Sequence, residues 1–376
     1  MRKTNVLFTY PQPDFALPPW SVCAQIARHL DTNRFQSFVA AAEDTAGKAG
    51  VEGTADVARF PLGSPAQIAR SLPRLASFVV GNCIDVVHAN EDARSLALGL
   101  ALSRGTGRPL VVHYHATPKI YRGARRRLLK LGASLAARNV GVSRFIADEL
   151  SAIGVRRTGF VLNGVDARRF SPQIDGSRIR REYGVAPDDV LVLQLARFWR
   201  PKRQEDLVRA MAIALRRAPK LKALLVGWDD PRYDGAFTSY REEVKSLARE
   251  LGIVDRIIVA NARPEAPELH AAADIFAFPS VDDPCALVIL EVLASGKPFV
   301  GARSGGTPEL IDEGVTGLLV PPRAPGDLAE KLVLLANDAG LRRRLGDAAR
   351  ASALKDFPEG NVARGFGEIY EETARR

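Results

Sequence analysis

A chain of 376 residues, 46% hydrophobic and 26% charged, has the makeup of a soluble globular protein long enough for two domains of ordinary size. Its three cysteines, Cys23, Cys83 and Cys285, are too few and too scattered for a disulfide framework or a zinc cluster, and they suit a reducing cytosol. The net charge of +10 is lodged in the first half: residues 1–170 hold 23 Lys and Arg against 12 Asp and Glu, whereas residues 171–376 hold 30 against 31. That excess favours an anionic partner for the first half, be it a membrane surface, nucleic acid or a phosphorylated substrate, or else serves solubility alone.

The start, "MRKTNVLFTYPQPDF", is basic and then briefly apolar, but prolines and Asp14 cut the apolar run short of a signal peptide, so "NVLFTY" is expected to be a strand. No run reaches the ~20 apolar residues of a membrane-spanning helix. "NVLFTY" precedes the helical pattern "WSVCAQIARHL", "DVVHAN" precedes "ARSLALGLALS", and "PLVVHYH" precedes a basic stretch. His113 and His115 are two apart, on one side of that strand, which could suit a metal, but no third ligand is visible and the expectation is no metal. His29, His88 and His270 read as structural. Residues 119–139, "KIYRGARRRLLKLGASLAARN", mix Leu128, Leu129, Leu131 and Leu135 with Arg122, Arg125, Arg126, Arg127 and Lys130. Such a basic amphipathic helix can lie on an anionic membrane, and no nucleic-acid motif accompanies it. "NVGVS" then precedes "RFIADELSAIG", and "VLNGVDARRFSP" (161–172), with its Asn-Gly turn and closing proline, reads as the seam between domains.

Beyond the seam the alternation restarts with "DVLVLQLARF", "LKALLVGW", "DRIIVAN", "DIFAFPS" and "KPFVGA". Continuous apolar strands separated by helices predict parallel sheets covered on both faces, and two such series predict two doubly wound α/β domains with sites in strand-end loops. After the first of these strands come Arg197 and Lys202, beside the start of an amphipathic helix, an arrangement that can grip phosphate or be a solvated basic loop. The acid pairs Asp229-Asp230 and Asp282-Asp283 each precede a proline and read as turns or caps rather than metal ligands. Asp283 before Pro284 matches a helix N-cap, placing Glu291 about two turns in; aimed at a ligand, a carboxylate there can clasp a vicinal diol. In "GARSGGTPELIDEG" (301–314), Gly305-Gly306 permits close backbone approach and Thr307 can cap a helix whose first residue is Pro308. The last stretch has Val362, Phe366, Ile369 and Tyr370 at helical spacing.

The ordered set of Arg197, Lys202, "AAADIFAFPS", Asp283, Glu291 and "ASGKPFVGARSGGTPELIDEGVTGLLVPP" resembles the glycosyltransferase group 1 family over residues 195–322, and more weakly over 142–170 and in "DVVHAN" and "VVHYHATP". The resemblance implies a GT-B fold: two Rossmann-like α/β domains facing a central cleft, residues 1–168 for the acceptor and 169–357 for the donor, with a final helix (358–376) crossing back. It implies a retaining enzyme that needs no metal and takes a nucleotide sugar, UDP- or GDP-linked. Arg197 and Lys202 would then hold the diphosphate, Asp283 and His115 would meet the transferred sugar, Glu291 the ribose, Gly305, Gly306 and Thr307 the phosphates and sugar, and the backbone around Arg263 the base. A glycan or lipid-linked acceptor at the inner face of the cell membrane is the implied partner, in cell-surface polysaccharide or glycolipid synthesis. The chain departs from the family in having Asp283 for glutamate, Pro284, Cys285 and Ala286 for a Gly-aromatic-Gly triplet, and Pro18-Pro19 for a Gly-Gly loop. Those departures keep two alternatives in view: a non-catalytic nucleotide-sugar-binding subunit and a nucleotide-sugar epimerase.

Overall fold

Thirteen strands are present in the computed structural model, which describes residues 2–12, 18–45, 50–51, 53–229 and 239–375. The first seven are β1 (Thr4–Tyr10), β2 (Phe35–Ala42), β3 (Ala55–Phe60), β4 (Val86–Asn90), β5 (Leu110–Tyr114), β6 (Arg138–Gly141) and β7 (Thr158–Phe160). They form one parallel sheet in the order β3-β2-β1-β4-β5-β6-β7. The other six are β8 (Val190–Leu195), β9 (Leu221–Gly227), β10 (Ile257–Asn261), β11 (Ile275–Phe278), β12 (Phe299–Ala302) and β13 (Gly317–Val320), in the parallel order β10-β9-β8-β11-β12-β13. Both sheets are doubly wound: the chain leaves the first strand toward one edge, then returns to build toward the other. The switch point lies between β1 and β4 in one sheet and between β8 and β11 in the other. Ligands of such sheets sit where that reversal parts the strand-end loops.

The chain divides into unit 1, Met1–Gly164 with Glu359–Arg376, and unit 2, Val165–Pro358. The break falls after Gly164, where the sequence suggested Arg168. The last helix, Glu359–Ala374, belongs to unit 1, where Val362, Phe366 and Tyr370 are buried; Tyr370 donates to or accepts from His88 Nδ1 at 2.6 Å. In unit 2, Leu207 and Met211 of the helix Gln204–Ala214 are fully buried with Val192, Leu225 and Ala277 of the sheet. Burying a side chain of that size stabilises a fold by about 1.5–3 kcal/mol. Among the described residues no helix is long and apolar enough to cross a membrane.

Three local expectations are corrected. Pro18 and Pro19 open the helix Pro18–His29 rather than a loop; residues 13–17 lie outside the described residues, as does Asp230. The basic helix runs only from Gly123 to Leu135, after a 3-10 turn at Pro118–Ile120, because Arg138 begins β6. The helix carrying Glu291 begins at Leu287 with Ala286 in the capping place, so Asp283 is not its cap and Glu291 lies little more than one turn in.

Candidate functional site

At the switch point of unit 2, the strand ends of β8 and β11 set a cation and an acid against each other. The Lys202 ammonium donates to Asp283 Oδ2, which also accepts from the Ser280 hydroxyl at 2.9 Å. Both charged side chains are nearly covered, 14% and 8% exposed. Lys202 lies 5.3 Å from the centre of the Phe278 ring, at the last residue of β11. The loops are joined by backbone as well: Val281 N–H donates to Pro201 C=O at 2.8 Å.

The loop after β8 is held in place by two amides that sequence reasoning missed. Gln194 Nε2 donates to Lys202 C=O, and Gln204 Nε2 donates to Arg197 C=O, both at 2.8 Å. Both glutamines are fully buried. Their signal was available: Gln194 is a lone polar residue inside an apolar strand, where burial requires a partner. Arg197 sits 5.1 Å from the Trp199 ring and 5.7 Å from the Trp228 ring, so two indoles frame its guanidinium. Arg203 takes a left-handed φ of 54° and grips Asp206 with two nitrogens, at 2.8 and 2.9 Å, as the next helix begins.

Gly305 has φ +59°, and a Cβ there would lie 2.3 Å from Asp283 C=O. Gly306 N–H donates to that same carbonyl at 2.8 Å. The glycine pair therefore admits the backbone of the acid loop, and the site's two loops after β11 and β12 dock through it. Thr307 is buried but caps no helix: it opens a 3-10 turn, Thr307–Glu309, and its hydroxyl has no hydrogen-bond partner among the described residues. Glu291, 24% exposed, faces His270 with Oε2 3.4 Å from Nε2. The Arg263 side chain is engaged by Glu265 in a fork, at 3.0 and 3.1 Å, by Glu182 at 2.5 Å and by the Tyr183 hydroxyl at 3.2 Å. These bonds hold its pKa above the ordinary arginine value. Lys202, Asp283, Gly305 and Gly306 are thus brought into direct contact, while Glu291 and Arg263 have partners of their own.

Unit 1 carries a different assembly at the ends of β4 and β5. His115, half-buried, holds Nε2 3.0 Å from Asn90 Oδ1, which also accepts from the Cys23 thiol at 3.5 Å. As drawn, that oxygen is an acceptor only, so His115 carries its proton on Nε2 and leaves Nδ1 as an acceptor. Burial lowers its pKa to about 3. Glu91, which sequence reasoning missed, is buried beside it; its carboxyl accepts from the His115 backbone N–H and from the Tyr121 hydroxyl at 3.4 Å. Desolvation pushes Glu91 up to about 8, and Oε2 has no hydrogen-bond partner among the described residues. Cys23, His88 and His113 bring ligand atoms within 4.8 Å of one another, and the His115 ring centre lies 4.0 Å from that of His113. Burial pushes the Cys23 thiol up to about 12. The rings of His113 and Phe366 are 4.6 Å apart, and the cluster packs as core.

Two doubly wound units, the second with a lysine–carboxylate cluster at its switch point, define the GT-B class of fold. Residues 175–352 match the family model described as glycosyl transferases group 1, and residues 20–169 match glycosyltransferase family 4. The chain belongs to the group 1 glycosyltransferase family. It is 35% identical over 222 residues to a D-inositol 3-phosphate glycosyltransferase of Corynebacterium kroppenstedtii, covering 57% of this chain and 48% of that one. It is 29% identical over 215 residues to an N-acetyl-alpha-D-glucosaminyl L-malate synthase of Bacillus anthracis, covering 57% and 54%. The chain thus spans about half the length of the curated relatives it matches. Among solved structures, Anabaena Alr3699/HepE in complex with UDP superposes with a TM-score of 0.84 at 25% identity, over 98% of this chain and 100% of that one.

Proposed function

We propose that this chain is a retaining glycosyltransferase that moves a sugar from a nucleoside diphosphate sugar to a hydroxyl of a glycan or lipid-linked acceptor, without a metal. The observation that carries the reading is the contact of Lys202 with Asp283 at the unit 2 switch point, with Gly305 and Gly306 against the same acid. A nearly buried ammonium beside a helix start is suited to neutralise a departing diphosphate, the work a metal does elsewhere. Arg197 supplies the second cation. The sugar–diphosphate bond breaks as the acceptor oxygen attacks the same face of the anomeric carbon, and a diphosphate oxygen takes the acceptor proton. Glu291 receives the ribose hydroxyls, and Asp283 and His115 hold the sugar. The similarity to HepE, whose solved complex contains UDP, favours a uridine donor over a guanosine one.

The acceptor side is read from charge. Arg125, Arg126, Arg127 and Lys130 are exposed on the helix Gly123–Leu135 and make no ion pair among the described residues. Leu131 and Leu135 are exposed beside them, and Ile120 precedes them. Leucines among cations suit an anionic lipid interface more than a nucleic-acid backbone. On this reading the enzyme works at the cytoplasmic face of a membrane, in polysaccharide or glycolipid synthesis.

A thermal-shift screen of UDP- and GDP-sugars, followed by incubation with the best one, tests the reading. A shift with slow release of free nucleotide is expected. An isomerised donor indicates an epimerase instead, and binding without turnover a non-catalytic subunit.

A further inference from the structure

His270 has a single hydrogen-bonding neighbour among the described residues, the Glu291 carboxylate. It lies on the helix Ala266–Ala272 of unit 2, is fully buried, and packs between the Phe170 ring at 5.7 Å and the Phe276 ring at 5.6 Å. Its Nδ1 has no hydrogen-bond partner among the described residues. A third ring of hydrocarbon would fill that slot without the cost of desolvating two nitrogens. A bare N–H in the slot costs more than a bare lone pair, and a carboxylate can only accept. The proton therefore belongs on Nε2, which donates to Glu291 Oε2.

We infer that His270 is a positioning residue: through this bond it fixes the rotamer of Glu291 so that the carboxylate is aimed at the two hydroxyls of the donor's ribose. The inference rests on Glu291 being the ribose group, and it adds a residue outside the donor pocket that sets selectivity for ribose over sugars lacking the diol. Glu291 is only partly covered and stands on the second turn of a short helix, so its side chain has freedom that one buried donor can remove. The imidazole is fully buried, in T-shaped contact with the Phe170 ring and tilted against the Phe276 ring, so it has little room to swing and the restraint passes to the acid.

Binding of UDP and of 2′,3′-dideoxy-UDP, measured by titration calorimetry, separates the possibilities. The native chain should prefer UDP by about a hundredfold, the worth of two hydrogen bonds to a charged acceptor. E291A should reduce that preference to near unity. H270F keeps the aromatic packing and removes the donor; its preference should fall about tenfold, with affinity for the dideoxy nucleotide unchanged. H270Q, whose amide can place a donor near the Nε2 position, should restore the preference to within about threefold of native. Should H270F not fold, H270N takes its place, polar but too short to reach the carboxylate. A merely structural role would lower both affinities together and leave the ratio intact, and that result overturns the role of His270 alone. Equal binding of the two nucleotides to the native chain removes Glu291 from the ribose, and this inference with it.

Discussion

In unit 2 the ammonium of Lys202 and the carboxylate of Asp283 face each other under cover, and Arg263 is held by Glu265 and Glu182. At the corresponding strand ends of unit 1, burial drives Glu91, His88, His113 and His115 toward their neutral forms, and the unpaired cations are left outside on the helix Gly123–Leu135. The contrast has a physical logic. A group that must meet a diphosphate has to remain charged, and near the interior it remains so only with a counter-charge in place. Groups that handle neutral hydroxyls are better uncharged, because each then offers a donor or an acceptor without the penalty of a buried ion.

The largest effect that could break this comparison is at Lys202. Replacing it with alanine should abolish the thermal shift given by the best nucleotide sugar and slow transfer about a thousandfold, the upper range for removing one charge-stabilising donor. An unchanged shift would take Lys202 out of the site. On the unit 1 side, R125A/R126A/R127A should weaken binding to phosphatidylserine-containing vesicles about a hundredfold at low salt, from about 1 kcal/mol per basic residue. Co-sedimentation measures it, with neutral vesicles as control. Equal binding by the native and substituted chains would return that helix to ordinary surface.

The alternation of apolar strands and helices made both α/β units legible, because a strand covered on two faces must be apolar throughout. β2 escaped because "FQSFVAAA" ends in alanines, which favour helices until the sheet's burial overrides them. β3 has exposed positions, β7 is three residues long and β13 lies within the motif that drew attention for its glycines. At the site, the residue types were readable but their partners were not. Gly305 was visible as room for close approach, yet the group that approaches is the backbone of Asp283, 22 residues earlier in the chain and brought in by the β11–β12 pairing. Glu91 gave no signal, because "ANED" looks like a solvated loop until burial is known.

Asp283 offers a subtler test of pairing. Its carboxylate steadies Lys202 but also opposes the incoming diphosphate. D283N leaves the ammonium without its counter-charge, a strained state that an anion relieves. UDP should therefore bind about tenfold tighter to D283N, while sugar transfer should slow on the proposed reading that Asp283 holds the sugar. Calorimetry with UDP reads the first effect and nucleotide release the second. Weaker UDP binding would show that Asp283 serves chiefly to orient Lys202.

A test by pH asks whether unit 1 is built around neutral groups. Glu91 has its pKa raised to about 8 by desolvation. In the unfolded chain it would titrate at the ordinary glutamate value, so below about pH 4 both states hold the proton and pH has no leverage through this group. Between there and pH 8 the folded state keeps a proton that the unfolded state has released, so stability declines as pH rises, by at most about 1.4 kcal/mol per pH unit. Above pH 8 both states have lost it and the decline stops. E91Q imitates the protonated acid and removes this slope. Its thermal midpoint should match the native one near pH 4.5 and exceed it progressively up to pH 8. If the two midpoints stay parallel across that range, Glu91 is ionised at neutrality, with a cation or solvent at its side, and unit 1 handles charge as unit 2 does.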